Sequence, residues 1–196
     1  MMMKKQTGFT LIEIAIVLVI IGLLLGGVLK GQELITNSKI KRTANDFNGI
    51  SAGIFSYMDR YNALPGDDPN ALARWGGTVA AGNGNGLIGG NAFAGNTNNE
   101  SRQVWVHLRE SGLVSGAGTA LPNHAFGGRI GVQDTPVATL TGNAICMEDI
   151  QGKIAEILDL QLDDGVGNTG EMQNIGGTPA YTGAQQDADF TICKRI

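Results

Sequence analysis

Hard oxygen ligands are concentrated in one short stretch of the chain, DLQLDDGVGNTGE. Carboxylates and an amide surround a glycine turn there, which is the composition that calcium prefers: Asp159, Asp163, Asp164, Asn168 and Glu171. Their spacing does not match the EF-hand loop, and a solvated helix end followed by a turn would have the same composition. The stretch therefore has two interpretations, a calcium site or an ordinary polar turn, and it is the only cofactor site that the sequence suggests.

The rest of the sequence offers little that points to catalysis. The two histidines, His107 and His124, lack the i,i+4 spacing or the partner cysteines of a zinc site. The chain contains no phosphate-binding loop that ends in G-K-[ST]. We therefore expect a protein that is not an enzyme, and a membrane-anchored periplasmic enzyme remains the less favoured alternative.

One further carboxylate, Glu13, lies in an apolar run near the front of the chain, KKQTGFTLIEIAIVLVIIGLLLGGVLK. An acidic side chain in hydrocarbon costs roughly 2.5 to 3.5 kcal/mol, so a simple anchor would do better without it. A secretory signal peptide would have a shorter apolar core and a small-residue cleavage site after it. A plain membrane anchor fits the length but leaves Glu13 unexplained. A third interpretation places the processing site before the run, between Gly8 and Phe9.

The stretch KKQTGFTLIEIAIVLVIIGLL resembles the class III signal of type IV pilins and type II secretion pseudopilins. The resemblance covers about the first 30 residues and implies that a prepilin peptidase cuts after Gly8 and N-methylates Phe9. It also implies a role for Glu13 in assembly: its carboxylate would meet the Phe9 ammonium of another subunit in the filament core. An unpaired buried charge costs about 3 to 5 kcal/mol, so such a pair would set the register of neighbours. The alternative is a glutamate that reaches the lipid headgroups.

Beyond the apolar run, a helical stripe continues at steps of three and four residues: Ile40, Ala44, Phe47, Ile50, Ile54, Met58 and Tyr61. The Leu64-Pro65-Gly66 sequence stops it, so one helix is predicted from Phe9 to about Asn62. Four glycines weaken its apolar half, and we expect local unwinding there on assembly: Gly22, Gly26, Gly27 and Gly31. Close helix packing is the other interpretation of these glycines.

The remainder predicts a small α+β domain rich in glycine loops. A long Gly/Asn/Asp run follows the helix, and we expect it to fold onto the domain through Trp75, Leu87, Ile88 and Phe93. Two short helices are predicted, SRQVWVHLRE and DIQGKIAEILDLQL, the second with an apolar face of Ile150, Ile154, Ile157 and Leu158. RIGVQ, VATLT, AICM and FTICKRI have strand character. Together with the resemblance, they imply a pilin-like fold, a long N-terminal helix packed on a small antiparallel sheet.

The two cysteines, Cys146 and Cys193, fall in candidate strands. If the domain is exported, as the front segment implies, the pair can close a disulfide in an oxidising compartment. The resemblance supports this pairing, because many type IV pilins join their C-terminal region with one disulfide. Two buried free thiols are the alternative.

Charge bears on nucleic acid as a partner. From Asn62 onward the sequence has seven Lys/Arg and fourteen Asp/Glu, so the domain is acidic. An acidic surface is poorly suited to wrap DNA, whose affinity depends on phosphate neutralisation, and nucleic acid is an unlikely partner. A DNA-uptake (competence) pseudopilin is the alternative, with few candidate basic residues: Arg102, Arg109, Lys194 and Arg195.

The expected organisation is a leader at residues 1–8, a transmembrane and filament-core segment at 9–29, an amphipathic helix half at 30–62 and a globular domain at 63–196. The implied function is a structural subunit of a type IV pilus or a type II secretion pseudopilus. Its implied partners are prepilin peptidase, an inner-membrane assembly platform and other pilin subunits. It would be a single-pass inner-membrane protein with a periplasmic domain, and then part of a periplasmic or extracellular filament. A disulfide favours pilins, whereas the LPGDD loop and Lys30 in place of the family's proline favour pseudopilins.

Overall fold

The computed structural model describes residues 8, 10–181 and 185–196. Its elements in chain order are α1 (Leu11–Tyr61), α2 (Ala71–Trp75), α3 (Glu100–Glu110), β1 (Ile130–Asp134), β2 (Asn143–Gln151), α4 (Gly152–Leu162), β3 (Met172–Asn174) and β4 (Asp189–Arg195). The chain divides between Lys39 and Ile40 into two compact units, and α1 contributes residues to both. The fold is the α+β arrangement that the sequence implied, with a long N-terminal helix and a small antiparallel sheet.

The 51-residue helix α1 buries one stripe from Ile40 onward: Ile40, Thr43, Ala44, Phe47, Ile50, Ile54 and Tyr57. The predicted stripe is wrong at its end, because Met58 is exposed and Tyr61 is only half-buried. Tyr57 takes the inner position since its hydroxyl donates to the buried Asp68 carboxylate at 2.7 Å, which satisfies a polar group inside the core. The helix ends where Asn62 adopts a left-handed conformation with φ 48°.

The four strands form one antiparallel sheet in the order β1-β2-β4-β3. RIGVQ, AICM and FTICKRI lie in β1, β2 and β4, as predicted. VATLT was predicted to be a strand and is not one, because Val137 and Leu140 pair with each other in a tight turn. The three-residue strand β3 was not predicted, since it is too short to show an alternating pattern.

The main core lies between the inner stripe of α1 and the sheet, and α3 and α4 complete it. Its buried members from the other elements include Val104, Trp105 and Leu108 of α3, Val132 of β1, Ile145 and Met147 of β2, and Ile154 and Leu158 of α4. The predicted face of α4 is wrong at two positions. Ile150 belongs to β2, and Ile157 is exposed because it points about 100° away from Leu158 around the helix. Ala155 is buried in its place.

The long glycine-rich loop folds onto the domain, and α2 interrupts it. Of its predicted anchors, Ile88 is fully buried, Trp75 and Phe93 are half-buried, and Leu87 is exposed. Gly66 at its start has φ 91°, and a Cβ there would lie 2.6 Å from the Glu100 carbonyl oxygen. Only glycine tolerates both the positive φ and the lack of space for a Cβ, and through this close contact the start of the loop packs against α3.

A disulfide joins Cys146 of β2 to Cys193 of β4, as predicted. The two residues are direct partners across the sheet, and both side chains are buried. Leu140 and Ala144 complete a small apolar cluster around the bond. The bond therefore links the middle of the chain to its C-terminal strand at the centre of the sheet.

Replacing both cysteines by serine should lower the free energy of unfolding of the globular unit by about 2 to 4 kcal/mol. The bond closes a loop across 47 positions, and its loss frees the unfolded chain. Both tryptophans lie in this unit, so tryptophan fluorescence during denaturant unfolding measures the change. The wild type treated with a reductant should match the double variant, and unfolding midpoints that reduction does not move would contradict the prediction.

Candidate functional site

The N-terminal segment contains the residues predicted to be processed. Gly8 is described and exposed, whereas Phe9 and residues 1–7 lie outside the described residues. Helix α1 begins two residues after Phe9, at Leu11. Cleavage after Gly8 and methylation of Phe9 remain predictions from the sequence.

Glu13 lies in the first turn of α1 and forms a capping box with Thr10. Its Oε2 accepts hydrogen bonds from the backbone N–H and the hydroxyl of Thr10, both at 2.8 Å. The Glu13 N–H donates in return to the Thr10 hydroxyl at 3.3 Å. This arrangement satisfies N–H groups that a helix start otherwise leaves unpaired. We did not predict it, although the Thr-x-x-Glu spacing is the sequence signal for such a box.

The apolar surface of the first part of α1 is unusual because it extends around the whole helix. Every described residue from Thr10 to Lys30 is exposed, and the large apolar side chains have exposed fractions from 46% at Ile21 to 92% at Leu11. A contiguous apolar surface of this kind marks a membrane or protein contact. By length and composition, α1 could cross a membrane. The segment is therefore built to be covered by lipid or by other helices.

The four glycines of the apolar half lie inside an unbroken α1. Beyond the adjacent residues and the local helix backbone, a Cβ added at Gly22, Gly26, Gly27 or Gly31 would meet no atom of the described chain within 4 Å. Packing within the chain therefore does not require glycine at these positions. The reason for the glycines must lie in helix stability or in contacts with other molecules.

The acidic stretch brings together three of its five predicted ligands. Carboxylate oxygens of Asp159, Asp163 and Asp164 lie within 4.8 Å of one another. Glu171 instead pairs with Arg195, whose Nε donates to it at 2.6 Å. The predicted set is thus brought together only in part, because Glu171 lies next to β3 and faces β4.

The three aspartates also hold their own turn. Asp164 accepts hydrogen bonds from the Val166 N–H at 2.8 Å and the Thr169 hydroxyl at 2.7 Å, and Asp163 accepts one from the Met172 N–H at 2.8 Å. An all-carboxylate donor set fits calcium, but these bonds also explain the aspartates as a polar turn. Calcium at this site remains a prediction.

Asp159 is the unusual member of this group because its side chain is fully buried. Burial raises its pKa from 3.8 to about 6, and the charges of Asp164 and Asp163 act in the same direction. Hydrogen bonds from the Gly165 N–H and the Tyr181 hydroxyl, both at 3.3 Å, oppose the shift. The ionised form of Asp159 is therefore a source of instability at neutral pH.

Replacing Asp159 by asparagine should stabilise the protein at pH 7 by about 2 to 3 kcal/mol in a calcium-free buffer. The folded state holds a proton on Asp159 between about pH 4 and pH 6 that the unfolded state has lost, so stability falls as pH rises through this window. Unfolding free energies of both proteins at pH 5 and pH 7 test this. The advantage of the variant should be larger at pH 7, and an advantage independent of pH would contradict the assignment.

Both histidines use their ring nitrogens on the backbone. His107 Nδ1 accepts the Gly66 N–H at 2.8 Å, which leaves Nε2–H to donate to the Ala80 carbonyl at 2.9 Å. Burial lowers the His107 pKa and keeps it neutral. His124 Nδ1 accepts the Phe126 N–H at 3.2 Å, and its Nε2 lies 2.8 Å from the Glu148 carbonyl oxygen. The histidines therefore act as structural hydrogen-bond partners, which gives no support to the enzyme alternative.

A surface groove of about 620 Å³ lies beside the end of α1, lined by Phe55, Met58, Leu64, Asp67 and Asn143 among others. Its carboxylate, Asp67, accepts hydrogen bonds from the backbone N–H groups of Gly84 and Gly86 at 2.5 and 2.6 Å. The Asp67 carboxylate is thus already engaged in hydrogen bonds with the backbone of the protein.

The candidate residues for DNA contact are mostly engaged. Arg109 donates to the carbonyl oxygens of Ser115, Ala117 and Gly118, and Arg195 pairs with Glu171. Arg102 is half-buried and donates to the Ala92 carbonyl at 3.4 Å. These arginines therefore hold loops and an ion pair of the domain.

Comparison with known proteins identifies the N-terminal segment. Residues 3–29 match the family model described as the prokaryotic N-terminal methylation motif. No curated protein and no solved structure matches the chain. The chain therefore carries the class III prepilin signal that is typical of type IV pilins and pseudopilins, and it is a prepilin-like protein. Its apolar helix and this motif are consistent with anchoring in the inner membrane.

Proposed function

We propose that this protein is a structural subunit of a type IV pilus or type II secretion pseudopilus, processed by prepilin peptidase and assembled through α1. One observation carries the proposal: the residues that match the methylation motif include a helical segment that is apolar on all sides, with one acidic residue near its start. A subunit that passes from lipid into a helical bundle needs this kind of surface, because both surroundings cover the same apolar side chains.

In this proposal, prepilin peptidase removes residues 1–8 and methylates Phe9. The segment from Phe9 to Leu29 then holds the subunit in the inner membrane, and the globular unit lies in the periplasm. The buried Cys146–Cys193 disulfide supports an oxidising compartment for that unit. An assembly platform in the inner membrane lifts the subunit out of the bilayer into the growing filament.

Glu13 has a distinct partner in each state of this cycle. In the single chain its carboxylate accepts two hydrogen bonds from Thr10, which reduces the cost of an acidic group at the membrane boundary. In the filament the carboxylate meets the Phe9 ammonium of a neighbour and each charge lowers the cost of burying the other. A subunit out of register leaves both charges unpaired, at a cost of about 3 to 5 kcal/mol, so the pair selects the correct register.

The four glycines give α1 a weak region within and at the end of its apolar run. Each glycine costs about 0.8 to 1 kcal/mol relative to alanine in a helix. Because no side chain of the described structure packs where their Cβ atoms would be, that cost is not recovered within the chain. We propose that the stretch from Gly22 to Gly31 unwinds locally on assembly. A filament map with unbroken helical density there would refute it.

Filament membership can be tested by shearing. Cells that contain the chain, a prepilin peptidase and an assembly platform should release filaments in which an antibody against the globular unit labels the whole length. A control strain without the platform should keep the chain in its membrane fraction. If the chain stays in the membrane while the same machine assembles another pilin, the proposal is wrong.

A further inference from the structure

The loop between α2 and α3 contains two successive Asn-Gly pairs, Asn83-Gly84 and Asn85-Gly86. Both asparagines are exposed, and the two glycines have φ of 76° and 85°, a conformation that side chains disfavour. Each asparagine is held in an Asx turn: Asn83 Oδ1 accepts the Asn85 N–H at 3.0 Å, and Asn85 Oδ1 accepts the Leu87 N–H at 2.9 Å. The glycine conformations and the Asx turns together favour Asn-Gly at these positions. This dipeptide is chemically labile, because asparagine is a thermolabile residue.

The lability of an Asn-Gly pair comes from the backbone nitrogen of the glycine. This nitrogen attacks the Cγ of the asparagine side chain, loses its proton to solvent, and the amide nitrogen leaves as ammonia. Water then opens the resulting succinimide at one of its two carbonyls, which gives aspartate or isoaspartate. The net change is the gain of one water and the loss of one ammonia, and the residue gains a negatively charged carboxylate.

Both attacking nitrogens are held by one carboxylate. The N–H of Gly84 donates to Asp67 Oδ1 at 2.5 Å, and the N–H of Gly86 donates to Asp67 Oδ2 at 2.6 Å. Asp67 is itself only 3% exposed, and the backbone of Gly82 lies so close that a Cβ there would be 2.2 Å from the Asp67 Cα. The Asp67 carboxylate is therefore packed inside the folded loop.

We propose that Asn83 and Asn85 are latent deamidation sites that Asp67 keeps closed. Attack at either site requires the glycine N–H to leave Asp67 and the asparagine side chain to leave its Asx turn. Both bonds hold the nitrogen and the Cγ in their present places, so reaction requires local opening of the loop. This inference does not depend on the proposed filament function.

The reaction would change the loop permanently. Isoaspartate inserts an additional methylene into the backbone, so the following glycine N–H no longer meets Asp67 in the same register. Either product also places a new negative charge near the buried Asp67 carboxylate. One opening event that leads to deamidation at Asn83 or Asn85 therefore leaves a loop that does not close again in its original form.

The test measures deamidation at each asparagine of the full chain in detergent by peptide mapping and mass spectrometry. A synthetic peptide of residues 81–87 in the same buffer gives the unprotected rate. We expect Asn83 and Asn85 in the folded wild type to react at least about tenfold more slowly than in the peptide. Asp67→Asn should raise both rates by about tenfold or more, because an amide cannot accept from both glycines with the charge of a carboxylate.

Two controls make the test specific. Glu100→Gln also weakens the loop, since Glu100 accepts the N–H groups of Asn83 and Gly89 at 3.0 and 2.8 Å, but it leaves the two attacking nitrogens on Asp67. Its rates should stay near those of the wild type. Asn48-Gly49 lies within α1, so its rate reports unfolding of the domain and should not change in Asp67→Asn.

Three results would overturn the inference. Rates in Asp67→Asn that equal or fall below the wild type would exclude protection by the carboxylate. An equal acceleration by Glu100→Gln would assign protection to the loop as a whole. If Asn48 also reacts faster in Asp67→Asn, that variant has unfolded, and the test then depends on the wild type alone. Equal deamidation rates at Asn83 and Asn85 in the folded wild type and in the peptide would refute the proposal.

Discussion

Replacing Gly8 by leucine should leave the leader attached and abolish filament formation. The proposed cleavage between Gly8 and Phe9 requires the small residue before the cut, and its failure leaves MMMKKQTL on the chain. Lys4 and Lys5 then hold the N-terminus at the cytoplasmic face by the positive-inside rule, and no Phe9 ammonium forms. The intact mass of the membrane-bound chain and electron microscopy of sheared filaments measure both effects.

The matched control is the same substitution at Gly27, inside α1. Gly27 lies 19 positions after Gly8, and beyond the adjacent residues and the local helix backbone a Cβ there meets no atom of the described chain within 4 Å, so Gly27→Leu should leave cleavage unchanged. A Gly8→Leu chain that loses residues 1–8 and assembles normally would contradict the proposed processing site.

Replacing Glu13 by leucine should reduce filament number by at least about tenfold while leaving cleavage intact. In the membrane the change is favourable by roughly 3 kcal/mol, because a carboxylate is removed from the apolar segment. In the filament it leaves the Phe9 ammonium of a neighbour buried without a partner, at a cost of about 3 to 5 kcal/mol per subunit. Filaments counted by electron microscopy at equal expression measure the outcome.

Two further variants separate the charge of Glu13 from its capping box. Glu13→Gln keeps a side chain that can accept from Thr10 but has no charge, so a charge-pairing role predicts the same loss as Glu13→Leu. Thr10→Val removes the hydroxyl of the box and keeps the charge, so assembly should be largely retained. Normal filaments from Glu13→Leu would refute the pairing role and return Glu13 to a capping or headgroup contact.

The parts of the fold that the sequence predicted are those with a long regular pattern. The stripe of α1 recurs over nearly five turns, and α3 has clear limits, so both were identified. The predicted stripe failed at Tyr57 because burial of its hydroxyl depends on Asp68, eleven residues away and beyond the end of the helix. Strand β3 was missed because its three residues form a strand only through pairing with β4.

The candidate site could be predicted to a similar extent. The methylation motif and the apolar run are local, and the sequence alone indicated them. Of the five predicted oxygen ligands, three lie close together at the end of α4. Glu171 instead forms an ion pair with Arg195 of β4, and only the folded sheet brings these two residues together. The protection of Asn83 and Asn85 could not be predicted, since Asp67 lies sixteen and eighteen positions earlier in the chain and only the folded loop brings its carboxylate to their glycines.

The most direct test of the proposed function is the N-terminal mass of the chain recovered from sheared filaments. The filament account predicts a chain that begins at Phe9 with a methylated α-amine and keeps the whole apolar segment. Mass spectrometry of the N-terminal peptide reads this directly. A chain that begins at Met1, or one cut after the apolar segment as a secretory signal peptide would be, would contradict assembly through α1.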